Sequence, residues 1–188
     1  QVLSAYDNSL TRRTITALGT ARYYLAGASI GEYAIFAGGK DDSTSYSLVE
    51  YYDVALTKHT LENLSAIRTN FQGASFAGYA VFGGGTTATP YIDRYNASLT
   101  RDTTIALSSS RSNTATGTLG SGMDKRLIIA GGDNKSTVVD VFDASFTRTS
   151  YSLSVGRTNA TIVSVGNYAL VAGGGSISVE YFELKNQS

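Results

Sequence analysis

Four arginines recur along this chain of 188 residues: Arg22, Arg68, Arg111 and Arg157. Two residues after them stand Tyr24, Asn70, Asn113 and Asn159. A guanidinium presents a planar fork of donors to carboxylates, phosphates and hydroxyls, and an amide offers both a donor and an acceptor. Gathered in one ring, these residues would bind an anionic or polyhydroxylated ligand. Bonded instead to carbonyls of its own or a neighbouring sheet, each arginine would serve the fold. Strict periodicity favours that second role, because a residue present in every copy of a repeat more often maintains the architecture. Both roles hold together where guanidinium edges stay free.

Other chemistries are narrowed by composition. There is no Cys, no Trp, one Met (Met123) and one His (His59). Thiol catalysis, disulfides and Cys-based zinc sites are excluded. A Ser-His-Asp triad would have to use His59, whose place in LTKHTLEN reads as an outward-facing strand position. Asp41-Asp42 and Asp133-Asn134 bring paired oxygens, but neither stretch supplies the six or more ligands of a calcium site, so both read as polar turns and no metal is expected. Fifteen basic residues balance fifteen acidic ones, so no global field holds nucleic acid or an anionic membrane. No apolar run reaches the length of a membrane-spanning helix. A start at Gln1 rather than Met leads to the expectation of a processed or excised segment.

The elements that position the arginines repeat. An aromatic, a turn and a Leu/Phe-Thr pair occur as AYDNSLT, YYDVALT, RYNASLT and VFDASFT, anchored on Tyr6, Tyr52, Tyr95 and Phe142. The arginine follows 16, 16, 16 and 15 residues after its anchor. A short apolar strand then ends in glycine: IFAGG, VFGGG, IIAGG and LVAGGG. Each unit predicts four short strands; in the second copy, strand a covers 70–76 and strand b 79–82, with strands c and d before them at 48–52 and 58–61. No 3.6-residue period is sustained, so almost no helix is expected. The glycines are not a phosphate loop, since no helix follows and GxxxxGK is absent.

This arrangement resembles the kelch repeat, which has an Arg before strand a, Gly-Gly after strand b and a Tyr-Asp-like pair after strand c. The resemblance implies an all-β fold, a β-propeller of four-stranded antiparallel blades. It covers the whole chain, read as one domain with units near 6–47, 52–90, 95–137 and 142–178 and a partial fifth at 179–188. The family's Trp is missing, with Leu-Thr or Phe-Thr in its place. Such units are similar to those of bacterial or phage surface proteins, which implies an extracellular or virion-associated location. The copper chemistry of the galactose oxidase-like relatives needs a Cys and two His and is excluded here.

Five c strands, near residues 2, 48, 92, 138 and 179, face only four a–b pairs. About four blades are expected, with the C-terminal a and b strands taking up the N-terminal c and d strands; segment 179–182 would then compete with 2–6. In that geometry the arginines surround the channel mouth, and the variable loops 40–47, 86–90 and 133–137 beside them add specificity through Lys40, Asp41, Asp42, Tyr46, Tyr91, Asp133 and Asn134. The N-x-S/T sequons at Asn63, Asn96, Asn134, Asn159 and Asn186 bear on function only in a eukaryotic secretory pathway. The expected role is a non-enzymatic module that recognises a protein or a glycan without a cofactor. Its alternatives are an architectural spacer that self-associates through unpaired edge strands and a propeller-type enzyme acting on glycans.

Overall fold

The computed structural model describes residues 3–86 and 90–184. The fold is all-β, with only two single-turn 3-10 segments, Gly122–Asp124 and Asp133–Lys135, among the described residues. A hairpin of β1 (Leu3–Tyr6) and β2 (Arg12–Ile15) comes first. Three four-stranded antiparallel sheets follow. The first holds β3 (Ala26–Ile30), β4 (Tyr33–Ala37), β5 (Val49–Tyr52) and β6 (Lys58–Thr60). The second holds β7 (Gln72–Phe76), β8 (Tyr79–Gly83), β9 (Tyr91–Tyr95) and β10 (Arg101–Ala106). The third holds β11 (Ala115–Leu119), β12 (Arg126–Ala130), β13 (Val138–Phe142) and β14 (Arg148–Ser152). A three-stranded sheet of β15 (Ala160–Val165), β16 (Tyr168–Gly173) and β17 (Glu180–Glu183) ends the described chain. Strand order follows chain order in every sheet, as expected for units closed by short turns.

The recurring turn motif has a local cause. The carboxylate or amide oxygen of Asp7, Asp53, Asn96 and Asp143 accepts the backbone N–H groups of Thr11, Thr57, Thr100 and Thr147 at 2.9–3.0 Å. The residue before each Thr (Leu10, Leu56, Leu99, Phe146) has φ near +60°. The side chain replaces ladder bonds that the tight loop cannot make, and so fixes the register of strands c and d.

The sheets pack face to face through apolar side chains. Ile30, Ile35 and Val49 of the first sheet meet Phe71, Ala80, Phe82 and Tyr95 of the second. Phe76, Val81 and Ile92 meet Leu127, Ile129 and Phe142. Leu119, Ile128 and Val139 meet Ile162, Ala169 and Val171. Strands β3, β7, β11 and β15 neighbour one another in sequence. The approach is close enough that a Cβ on Gly73 would lie 2.6 Å from the Gly27 carbonyl oxygen. The glycine after strand b has a similar cause: Gly131 has φ +70°, and a Cβ there would sit 2.6 Å from the Arg157 carbonyl oxygen. The next glycine, Gly132, donates its N–H to that same carbonyl at 2.8 Å. The glycine pair and the arginine of the following unit are therefore one joint.

The expected exchange of strands between the chain ends is not formed. Strand β17 pairs with β16 in full register, and β1 pairs with β2 alone among the described residues. The reason is chemical. Glu180 on β17 pairs with Arg157, 3.2 Å away, whereas β1 carries Ser4 at the equivalent position, two residues before its aromatic. A neutral hydroxyl would leave the buried guanidinium without a counter-ion.

Candidate functional site at the start of the inner strands

The four arginine side chains are buried, each residue no more than 6% exposed. Arg68 donates from Nε to Asp93 at 3.1 Å, from Nη1 to the Gly84 carbonyl at 2.7 Å and from Nη2 to the Tyr91 carbonyl at 2.5 Å. Arg111 donates to Asp140 at 2.8 Å and to the Gly131 and Ile129 carbonyls. Arg157 donates to Glu180 and to the Gly173 and Ser178 carbonyls. Arg22 pairs with Glu50 at 3.2 Å, and its Nε and Nη1 have no hydrogen-bond partner among the described residues. Burial lowers the pKa of Arg22 and Arg68, opposed by the carboxylate beside each.

The acid in each pair was the signal left unread in the sequence. Glu50, Asp93, Asp140 and Glu180 each stand two residues before the strand-c aromatic, Tyr52, Tyr95, Phe142 and Phe182. Each also accepts a backbone N–H from the connector entering its sheet: Gly19, Ser65, Ser108 and Ser154, at 2.6–3.1 Å. The position is Glu in the first and last units and Asp in the two between, which hides it from a search for identical residues.

Burial raises the carboxyl pKa of Asp140, but the bonds from Arg111 and Ser108 outweigh it and the net shift is downward. Glu180 is likewise lowered, by its bonds to Ser154 and Arg157 against desolvation. A folded pKa below the unfolded value contributes stability above the unfolded pKa, and that contribution is lost as pH falls through the folded one. With unfolded values near 4, the melting temperature is expected to stay level from about pH 8 to 5 and to drop below about pH 4. Thermal melts across that range check this; a decline beginning above pH 5 would contradict it.

The residues two positions beyond the arginines do come together. Tyr24, Asn70, Asn113 and Asn159 all take left-handed backbone conformations, with φ from +54° to +56°. Asn is the non-glycine residue best suited to that region, so its recurrence has a backbone cause. The Asn113 N–H donates to the Asn70 carbonyl at 2.8 Å and the Asn159 N–H to the Asn113 carbonyl at 2.9 Å. This links the starts of three consecutive inner strands. All four residues line one open cavity of about 340 Å³, with Leu25, Phe71, Gln72, Thr114 and Thr161 among its walls. The Asn113 amide donates to Asp133 at 2.7 Å, while the side-chain amides of Asn70 and Asn159 make no hydrogen bond among the described residues.

The loop residues divide. Lys40 exchanges backbone bonds with Tyr23 and sets its ammonium 5.4 Å from the Tyr23 ring, next to the mouth. Asp41 caps its own loop, accepting from the Ser43 and Thr44 N–H groups and from the Tyr46 hydroxyl at 2.5 Å. Those bonds, the Tyr46 one foremost, hold its carboxyl far below the usual range. Asp42 accepts from the Tyr23 hydroxyl at 3.3 Å. Asp133 accepts from Ser112 and Asn113, and Asn134 beside it is exposed with φ +55°. Tyr91 is exposed on the second sheet, its carbonyl held by Arg68. Residues 87–89 of the second loop, and the sequon at Asn186, lie outside the described residues.

His59 stacks on Tyr51, with ring centroids 4.8 Å apart, and bonds Asp53 at 3.0 Å, away from the mouth. No group of three or more His, Cys, Asp or Glu side chains converges among the described residues. No described helix is long and apolar enough to cross a membrane. Compared with protein-family models and with curated protein sequences, the chain matches none.

Proposed function

We propose that this chain is a kelch-like β-propeller array and a non-enzymatic binding module. Its recognition face is the mouth built by Tyr24, Asn70, Asn113 and Asn159, and its ligand is a neutral, polyhydroxylated one such as a glycan. The observation that carries this is the 340 Å³ cavity where the inner strands begin, walled by amides, hydroxyls, two aromatic rings and two aliphatic side chains. Amide donor–acceptor pairs and an aromatic face suit sugar hydroxyls and sugar C–H surfaces. None of the residues lining that cavity is a carboxylate, a histidine or a charged group, which favours binding over hydrolysis. The arginines act one layer down. Their buried pairs with Glu50, Asp93, Asp140 and Glu180 hold the backbone that presents the amides. The propeller reading rests on the serial packing of β3, β7, β11 and β15 and on their common cavity.

The test exploits the left-handed backbone. Changing Asn70→Gly and Asn159→Gly removes both unbonded amides and keeps the conformation accessible. Against a panel of neutral oligosaccharides, the wild-type chain is expected to bind at least one by calorimetry. The double variant should bind that sugar about tenfold or more weakly, the loss of one to two hydrogen bonds, with its fold retained by circular dichroism. Absence of binding across the panel, or equal binding by the variant, would refute the glycan reading.

A further inference from the structure

We infer that this chain assembles head to tail with a second copy of itself, through two apolar sheet faces at opposite ends of the array.

The first face belongs to the C-terminal sheet. Val163, Leu170 and Tyr181 form one cross-strand row, and Val165 and Tyr168 begin the next. Tyr168 and Tyr181 meet edge to face at 5.7 Å, and with Val165 and Leu170 they line a depression of about 380 Å³. Position in the repeat shows what this face is for. Ile30, Phe76, Leu119 and Val165 each stand eight residues after their arginine. The first three are 9%, 3% and 5% exposed, and Val165 is 61% exposed. Val49, Ile92 and Val139 precede their acids and are buried; Val179, in the same place before Glu180, is exposed. The residues that glue each earlier sheet to the next are therefore present in the last described sheet with no neighbouring sheet against them among the described residues.

The second face is the complement. Ala80, Leu127 and Ala169 stand four residues before the first glycine of the turn joint and are fully buried; Ala34, at the same position in the first sheet, is exposed. Phe82, Ile129 and Val171 are buried two residues further on, while Phe36 is only half-buried. The hairpin of β1 and β2 precedes this sheet, and the Thr16 carbonyl just beyond β2 accepts the Tyr52 hydroxyl at 2.7 Å. That bond lies at Tyr52, and among the described residues Ala34 stays exposed and Phe36 half-buried. One end of the chain thus carries the knob side, and the other the socket side, of an interface that the chain already forms three times. The occupant that fits either face best is the other one. A heterologous contact of this kind closes into a ring or runs on as a filament.

The experiment is solution mass by light scattering over a concentration series of the full chain, with two surface variants. Val163→Lys with Tyr181→Lys blocks the first face, and Ala34→Glu blocks the second; all three positions are exposed in the single chain, so the fold is expected to survive. Wild type should rise from 19.8 kDa to multiples of it as concentration rises. Each variant alone should remain at the single-chain mass. An equimolar mixture of the two, with one intact face each, should give a dimer that grows no further. Wild type that stays monomeric throughout, assembly indifferent to both blocks, or a mixture that fails to form the dimer would each overturn the inference. Sugar binding plays no part in the readout, so this result stands or falls apart from the glycan reading.

Discussion

Asp93→Asn is expected to cost the fold about 3–5 kcal/mol, the penalty of leaving a buried guanidinium without its counter-ion. Asp93 is fully buried and accepts from the Ser65 N–H and hydroxyl, from Arg68 Nε and from Arg101 Nη1. An amide of nearly the same shape keeps the packing but loses the charge, and it turns an N–H group toward donors. Arg68 would remain buried among the Gly84 and Tyr91 carbonyls with a positive charge that neither neutralises. At roughly 2–4 °C per kcal/mol for a chain of this size, the melting temperature should fall by about 10 °C. Ser4→Ala is the control, because Ser4 occupies the same repeat position on β1 and is exposed; it should change stability by less than about 0.5 kcal/mol. The double change Arg68→Met with Asp93→Leu removes both charges and should cost less than Asp93→Asn alone. Chemical denaturation of the three variants measures this. An Asp93→Asn variant as stable as wild type would mean that the arginine–acid joint does not hold the sheets.

That joint also marks how far the sequence was readable. The repeat, the strand order and the near absence of helix were legible, because the arginine, the aromatic and the glycine pair recur at fixed offsets and the strand runs are short and bounded by turns. The recurrence of Asn70, Asn113 and Asn159 was visible too, but its cause, a left-handed backbone, was not. The acids escaped notice since each partner lies 23 to 29 residues after its arginine and is Glu in two units and Asp in the other two. The acids do hold a fixed offset from the strand-c aromatic, but nothing local links that position to an arginine so far away. The strand pairing at the two ends was misread for the same reason: the choice between β17 and β1 turns on whether Glu180 or Ser4 meets Arg157. The exposed face of β15–β17 was illegible in principle. Val165 and Leu170 are as apolar as Ile30 and Ile35, and what separates them is that no further sheet packs on them among the described residues.

That last distinction gives the second large effect. Phe82→Ala should destabilise by about 3–5 kcal/mol, the range for emptying a fully buried aromatic site. The Phe82 ring sits between the first and second sheets, 6.4 Å from Phe71 and 6.1 Å from Tyr95, with no exposed surface. Phe36 occupies the same repeat position and meets Tyr52 at 5.9 Å in the same edge-to-face manner, but it is only half-buried. Phe36→Ala should therefore cost less than half as much in dilute solution. Local sequence cannot tell these phenylalanines apart, so the difference in loss isolates what a neighbouring sheet contributes. It also couples to assembly. If a second copy covers the first sheet, the Phe36→Ala penalty grows with protein concentration while that of Phe82→Ala does not, because a partner that binds only the folded chain adds stability by mass action. Unfolding curves for both variants, at two concentrations a hundredfold apart, read this directly. Equal losses at low concentration would mean that the first sheet is as well covered as the second and that no vacant half-interface exists there.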